Sequence, residues 1–323
     1  MIPPTEQTTA KTMNTSLSRR SALKALATGA ALASAPGALV RQAAAAEVAA
    51  AKLKGTIHHS VSAWCYNSLF NPGRNRPAKM SFEDFCRECA KLGLESVELL
   101  GPDQWPTVQK VGLTCAMCNG PDSIGYGWNR VEHHDKLTEA FEKAIPEVAK
   151  FGFPNIITFS GNRKGKENNV AYAVADQEGL ENCVKGLKRI VGVAEKSKVT
   201  VILELLNSKV NHAEYMADHS AWGVEVCKQV GSERLKLLYD IYHMQIMEGD
   251  LIRTIQDNHQ YFGHYHTGGN PGRNEIDDTQ EIHYPAVMKA IAASGFKGYV
   301  GQEFVPKRDP LTSLKQAIEI CDV

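Results

Sequence analysis

The sequence predicts an α/β fold in which eight parallel strands, each followed by a helix, close into a (β/α)8 barrel. Three observations carry this reading. From residue 55 onward, short β-type apolar runs alternate strictly with amphipathic stretches, the order that favours a parallel sheet with right-handed crossovers. Eight such units fit into about 270 residues, which suits a closed barrel better than an open doubly wound sheet. Four polar residues, Glu204, Asp240, His266 and Glu303, stand near the ends of four successive apolar runs, with gaps of 36, 26 and 37 residues. One strand–helix repeat of such a barrel takes roughly 31 residues, so these residues recur once per repeat at the face where barrel enzymes keep their chemistry.

The expected strands are 57–64, 95–100, 113–118, 155–160, 199–206, 235–242, 261–267 and 298–304. The expected helices are 81–92, 103–111, 133–150, 176–197, 213–230, 250–259, 283–294 and 311–321. Ser81 is placed to cap the first helix, with Glu83 and Asp84 in its first turn, where negative charge suits the helix dipole. Gly93, Gly152 and Gly295 each follow a helix as a left-handed closing residue. No GxGxxG follows the first strand, which weakens a dinucleotide-binding alternative. Two polar loops, 70–79 with Arg74 and Arg76, and 268–282, are expected on the face carrying the site, where they would cover substrate.

The first 46 residues differ in kind. Ser18-Arg19-Arg20-Ser21-Ala22-Leu23-Lys24 precedes an Ala/Leu/Gly-rich run, and Ala43 to Ala46 offers small residues for cleavage. Charged flank, short apolar stretch and small-residue exit form an export signal of twin-arginine type, so the expectation is a periplasmic protein with its mature end near Glu47. The remaining residues, 47–323, then form a single barrel domain without a membrane span. With 43% hydrophobic residues and no net charge, the chain has material for a large core and no electrostatic call for nucleic acid. A homo-oligomer is compatible with it. Of the eight cysteines, Cys86 and Cys89 follow helical spacing and read as small core residues. Cys115 and Cys118, on a strand, would point to opposite faces by alternation.

Each of the four recurring residues has a bland alternative. Glu204 and Glu303 are compatible with salt-bridged strand ends, and Asp240 with a helix or turn cap. His266 has His264 two residues before it, on the same side of the strand, and spacing alone does not choose between them. Together they read as a site for one divalent ion, with oxygens and one imidazole suiting Mn²⁺, Mg²⁺ or Co²⁺, and Zn²⁺ also acceptable. Such an ion can polarise a carbonyl beside a hydroxyl and stabilise an enediolate, while two carboxylates remove and return the proton. Glu204 and Glu303, from the fifth and eighth strands, suit that two-base role. His243 suits a hydrogen bond to the substrate oxygen that gains charge, and Arg273 a clamp on a carboxylate or hydroxyl.

The run of ELLN (204–207), YDIYH (239–243), GHYH with NPGRNE (263–275) and GQEF (301–304) resembles hydroxypyruvate isomerases and, more broadly, the xylose isomerase-like TIM barrel superfamily with its ketose 3-epimerases. The resemblance covers nearly all of residues 55–323. It implies Glu204, Asp240, His266 and Glu303 as metal ligands, Glu204 and Glu303 as the acid/base pair, His243 and Arg273 at the substrate, and a small sugar or hydroxy-oxo-acid as substrate. His266 follows the epimerases, since the isomerases carry Gln there, whereas the Pro-Gly-Arg loop follows the isomerases. Leu205 stands where a Pro is usual in the isomerases. Two other readings compete. A phosphodiesterase resembling endonuclease IV would need more strand-end histidines and a basic groove. An exported sugar-binding barrel without turnover would not need two opposed bases.

Overall fold

The computed structural model describes residues 51–73, 77–164 and 173–323. The expected export signal, and Arg74 and Arg76 of the first polar loop, lie outside the described residues. Seven strands form one parallel sheet: β1 (His58–Ser62), β2 (Ser96–Glu98), β3 (Asn155–Thr158), β4 (Thr200–Glu204), β5 (Leu235–Asp240), β6 (Phe262–Thr267) and β7 (Tyr299–Gln302). Their order is β2-β1-β7-β6-β5-β4-β3. The expected strand at 113–118 fills the gap between the two ends irregularly. Parallel bridges join Ser96 to Thr114, Leu100 to Cys118, and Cys118 to Ile156, so the ring of a TIM barrel closes through this segment.

The irregularity has a local cause. The backbone bends at Ala116–Met117, so alternation is lost, and the Cys118 and Cys115 sulfurs approach to 3.7 Å instead of pointing to opposite faces. Both are free thiols.

Helices follow the strands as expected, with three differences. Besides a single turn at Asn67–Phe70, those described are α1 (Phe82–Lys91), α2 (Trp105–Val111), α3 (His134–Lys150), α4 (Asp176–Leu187), α5 (Val191–Ser197), α6 (Ser220–Val230), α7 (Ile241–Met247), α8 (Leu251–Asn258), α9 (Tyr284–Ala293) and α10 (Pro310–Cys321). The stretch expected as one helix over 176–197 is two, α4 and α5. The helix expected from residue 213 starts only at Ser220. Glu214 is left-handed (φ 72°), and the Tyr215 hydroxyl donates to the Glu204 carbonyl at 2.8 Å while accepting from Ser160 N at 3.1 Å. Those buried bonds hold 213–219 as a loop over the strand ends. The third difference is α7, which follows β5 without a loop.

Local chemistry accounts for the rest. Ser81 Oγ accepts from Asp84 N at 3.0 Å and Asp84 accepts from Ser81 N, a reciprocal cap that starts α1. Phe85, Cys86 and Cys89 then share its buried face, as the helical spacing predicted. Gly93, Gly152 and Gly295 are all left-handed. Met117, Ile157, Ile202 and Leu238, from the irregular segment and from β3, β4 and β5, form a separate apolar cluster. Ile202 and Leu238 stand two positions before Glu204 and Asp240, so alternation puts all four on the same side of their strands. The apolar cluster is therefore the floor beneath the polar strand ends.

Candidate active site

Asp240 is the last residue of β5 and caps α7: its Oδ1 accepts from His243 N at 3.0 Å. The cap reading of this residue is thus realised on one oxygen, and the other oxygen is left for the ligand reading. Oδ2 is buried without a hydrogen-bond partner and faces the other three residues. Around it converge Glu204 at the end of β4, His266 near the end of β6 and Glu303 just after β7. Ligand-capable atoms of all four lie within 4.8 Å of one another. His266 Nδ1 is 2.9 Å from Glu303 Oε2, 3.7 Å from Glu204 Oε1 and 4.0 Å from Asp240 Oδ2, and it makes no hydrogen bond of proper geometry. Two orphaned ligand atoms, on Asp240 and His266, and three carboxylates in a fully or nearly fully buried cluster fit a divalent cation. His264 is not a member. Its Nε2 turns to Glu98, at 2.9 Å.

Burial pushes Asp240 up to about 7 against the pull of Arg273, and burial likewise raises Glu204. Burial also works against the charged form of His266, but Glu303 and the neighbouring carboxylates outweigh it and hold the imidazole protonated well above its usual range. Glu303 alone is held well below the usual carboxylate range, because Arg273 and His266 outweigh its burial. Burial thus biases two of the three acids toward their protonated forms, while Glu303 stays charged beside Arg273 and His266.

His243, on the first turn of α7, is fully buried and neutral. Burial and Arg273 press its pKa well below the ordinary value. Its Nδ1 accepts from Asn207 N at 3.1 Å, so the proton sits on Nε2, which has no partner and lies 3.7 Å from Asp240 Oδ2. Arg273, left-handed at φ 56°, pairs with Glu303 Oε2 and sits 3.5 Å from Asp240 Oδ2. Its guanidinium lies between the rings of Trp64 and Tyr242, 5.2 and 5.6 Å from their centroids.

The structure therefore brings together all six residues singled out in the sequence. Glu204 and Glu303 stand three ring positions apart, with β5 and β6 between them. Three further residues belong here that the sequence reading passed over. Trp64, after β1, donates its indole N–H to Glu303 Oε1 at 2.8 Å. Asn207 sets the tautomer of His243. Glu98 ends β2 inside the apolar run Val97-Glu98-Leu99-Leu100, the same signal that marked Glu204. Beside the cluster opens a cavity of about 530 Å³. Glu204, Glu303, Arg273 and Trp64 line it, together with Leu99, Ile124, Ile157 and Phe159 and the polar Asn119 and Asp122.

A family model described as xylose isomerase-like TIM barrel matches residues 86–322. The chain belongs to that family. Among its curated relatives, 2-oxo-tetronate isomerase of Pectobacterium atrosepticum is 24% identical over 237 residues, spanning 70% of this chain and 87% of the relative. Hydroxypyruvate isomerase of Escherichia coli is 32% identical over 127 residues, which span 38% of this chain and 47% of the relative. Among solved structures, one described as an AP endonuclease, family 2, from Brucella melitensis superposes with a TM-score of 0.67 at 21% identity. It covers 80% of this chain and 97% of that one, and at such identity it speaks for the fold alone. Within the family, the site described above is what this chain carries at its strand ends.

Proposed function

We propose that this chain is an isomerase or epimerase of small oxo sugars or hydroxy-oxo-acids that works with one divalent ion held by Glu204, Asp240, His266 and Glu303. The observation that carries the reading is the convergence of those four side chains with orphaned atoms turned inward. The curated relatives, isomerases of 2-oxo-tetronate and hydroxypyruvate, support the reaction class. When bound, the ion supplies Lewis acidity toward a carbonyl and its neighbouring hydroxyl. The remaining chemistry falls to the protein. Glu204 and Glu303 flank the site, one removing a proton from a substrate carbon and the other returning one, to the neighbouring carbon for isomerisation or to the opposite face of the same carbon for epimerisation. The neutral His243 offers its Nε2–H to the oxygen that gains charge. Trp64 and Arg273 fix the Glu303 carboxylate, and Arg273 also borders the cavity.

The cavity, inside the roughly 300–1,000 Å³ range of small-molecule sites, is ample for a three-carbon acid. Its far wall has room for a longer oxo sugar, whose distal carbons would lie over Leu99, Ile157 and Phe159 with their hydroxyls toward Asn119 and Asp122. Export through a twin-arginine signal at Arg19-Arg20 belongs to the same proposal and places the enzyme among extracytoplasmic sugars. Changing both arginines to lysine should retain the precursor, and unaltered export of that double variant would remove the assignment.

The test of the reaction is incorporation of solvent deuterium into a panel running from hydroxypyruvate to hexuloses, with Mn²⁺-loaded protein. Glu204→Gln and Glu303→Gln should each lower exchange by about 10²–10⁴-fold or more, with metal content measured alongside. Full exchange in both variants would place the bases elsewhere. Substrate binding without any exchange in the wild type would make the protein a binder.

A further inference from the structure

Glu98 is fully buried, and nothing in the proposed reaction uses it. It stands on β2, and β6 lies three places along the sheet, beyond β1 and β7. Its side chain reaches across the barrel interior to that strand. Oε1 accepts from His266 Nε2 at 2.7 Å and from His264 Nε2 at 2.9 Å; Oε2 accepts from Ser60 Oγ at 2.5 Å. A carboxylate is expensive to bury, and this one is fully satisfied by groups from two other strands. Burial works against its charge, but the two imidazoles outweigh that and hold the carboxyl at about 2.

Space for it is made by a specific absence. Gly301, two positions before Glu303 on β7, faces the same interior. A Cβ there would collide with Glu98 Oε1 and with His266 Cδ2. Gly301 has an ordinary strand conformation, since it is not among the residues of positive φ. The glycine therefore serves close approach, not backbone freedom.

The consequence falls on His266. With Nε2–H donated to Glu98, Nδ1 is the nitrogen left to give up its proton to a cation, and Nδ1 faces Glu204, Asp240 and Glu303. We propose that Glu98, in the slot left by Gly301, is a positioning residue for the metal centre: it selects Nδ1 of His266 as the ligating nitrogen and fixes the ring's orientation. This rests on the metal reading above. Glu98, His264 and His266 are also close enough to one another to suggest a second cation site, but Glu98 Oε1 and both Nε2 atoms are already spent on one another.

The test uses Cd²⁺ and Zn²⁺ with the full protein, and reads binding instead of turnover. Calorimetry should give one ion per chain. Glu98→Leu should weaken it by about 10–100-fold, the usual cost of losing such a partner. Glu98→Gln, which keeps an acceptor of the same shape, should stay within about threefold of wild type. With ¹¹³Cd and ¹⁵N-labelled histidine, the metal–nitrogen coupling of His266 should fall on Nδ1 in the wild type and in Glu98→Gln. In Glu98→Leu it should be lost or divided between the two nitrogens. If Glu98→Leu does not fold, Glu98→Asn serves: it keeps a polar side chain in the slot, is one methylene too short to reach His266 Nε2, leaves the His266 ring untouched, and should weaken binding by about tenfold.

Unchanged affinity and unchanged Nδ1 coupling in the variant that folds would reduce Glu98 to packing. Two ions per wild-type chain, with one lost in Glu98→Leu, would make it a ligand and overturn the positioning role. Absence of any binding in the wild type would instead sink the metal reading itself.

Discussion

The two halves of the ring do different work. From β4 to β7, each strand ends in one of the four candidate ligands, and the side chains there are acidic, cationic and mutually paired. From β1 to β3, the described strand ends contribute Leu99, Ile157 and Phe159 to the cavity, and the interior acid Glu98 is turned toward the other half. The contrast teaches how one barrel separates chemistry from fit. Charge is concentrated where an ion can balance it. The other wall is mostly apolar, with Asn119 and Asp122 as its polar groups, so a substrate can be gripped there without competing for the ion.

The largest effect that would break this division concerns the two histidines of β6. His266→Ala should abolish tight binding of a divalent ion, whereas His264→Ala should leave it nearly intact, both read by calorimetry. The reverse result would move the centre one layer deeper into the barrel. A smaller effect is expected from the other wall. Ile124→Trp, which fills part of the far side of the cavity, should lower kcat/KM for a hexulose by more than about tenfold while leaving a three-carbon acid within about twofold. Equal losses for both would mean that the apolar wall does not read substrate length.

The smallest effect separates the halves by pH. Burial lifts Asp240, on the metal half, and Asp122, on the other, from an ordinary 3.8 to about 7. A raised folded-state pKa means that the folded chain holds protons the unfolded chain has released. The stability these two acids lend is therefore present at low pH and is lost as pH rises from about 4 through 7. Relative to Asp122→Asn, the metal-free protein should accordingly lose melting temperature across that window, while buried histidines such as His59 and His243 pull the other way in both. Metal should remove the Asp240 share of the slope, because the ion replaces the proton. The Asp122 share should persist in the loaded protein and vanish in Asp122→Asn. A loaded protein whose slope matches that of the metal-free one would detach Asp240 from the metal.

Much of this was legible in the residue order. Strand–helix alternation, capping at Ser81 and the closing glycines are local matters, written within a few residues of where they act. The four candidate ligands were readable because a charged residue inside an apolar run, recurring once per repeat, has few places to go. Glu98 carried that same signal and was passed over, because it stands outside the C-terminal series and its partners are 166 and 168 residues away. Alternation failed at Cys115 and Cys118 because one bend suffices to break a period of two. Helical pattern ran too far at 213–219 because it does not register a tyrosine that two distant backbone groups claim.

The sequence by itself determined that this is a barrel of repeating strand–helix units, on which half of it the acids fall, and that six particular residues meet at the strand ends. Periodicity and the cost of burying charge are enough for that. Only the tertiary structure decided which nitrogen of which histidine faces the acids, which proton His243 keeps, that one oxygen of Asp240 caps a helix while the other is left without a hydrogen-bond partner, and that a glycine on β7 makes room for a carboxylate from β2. Those are matters of direction and clearance between strands far apart in the chain. A side chain's hydrogen bonds are set by whatever the closed ring places opposite it, and the one-dimensional order does not encode that.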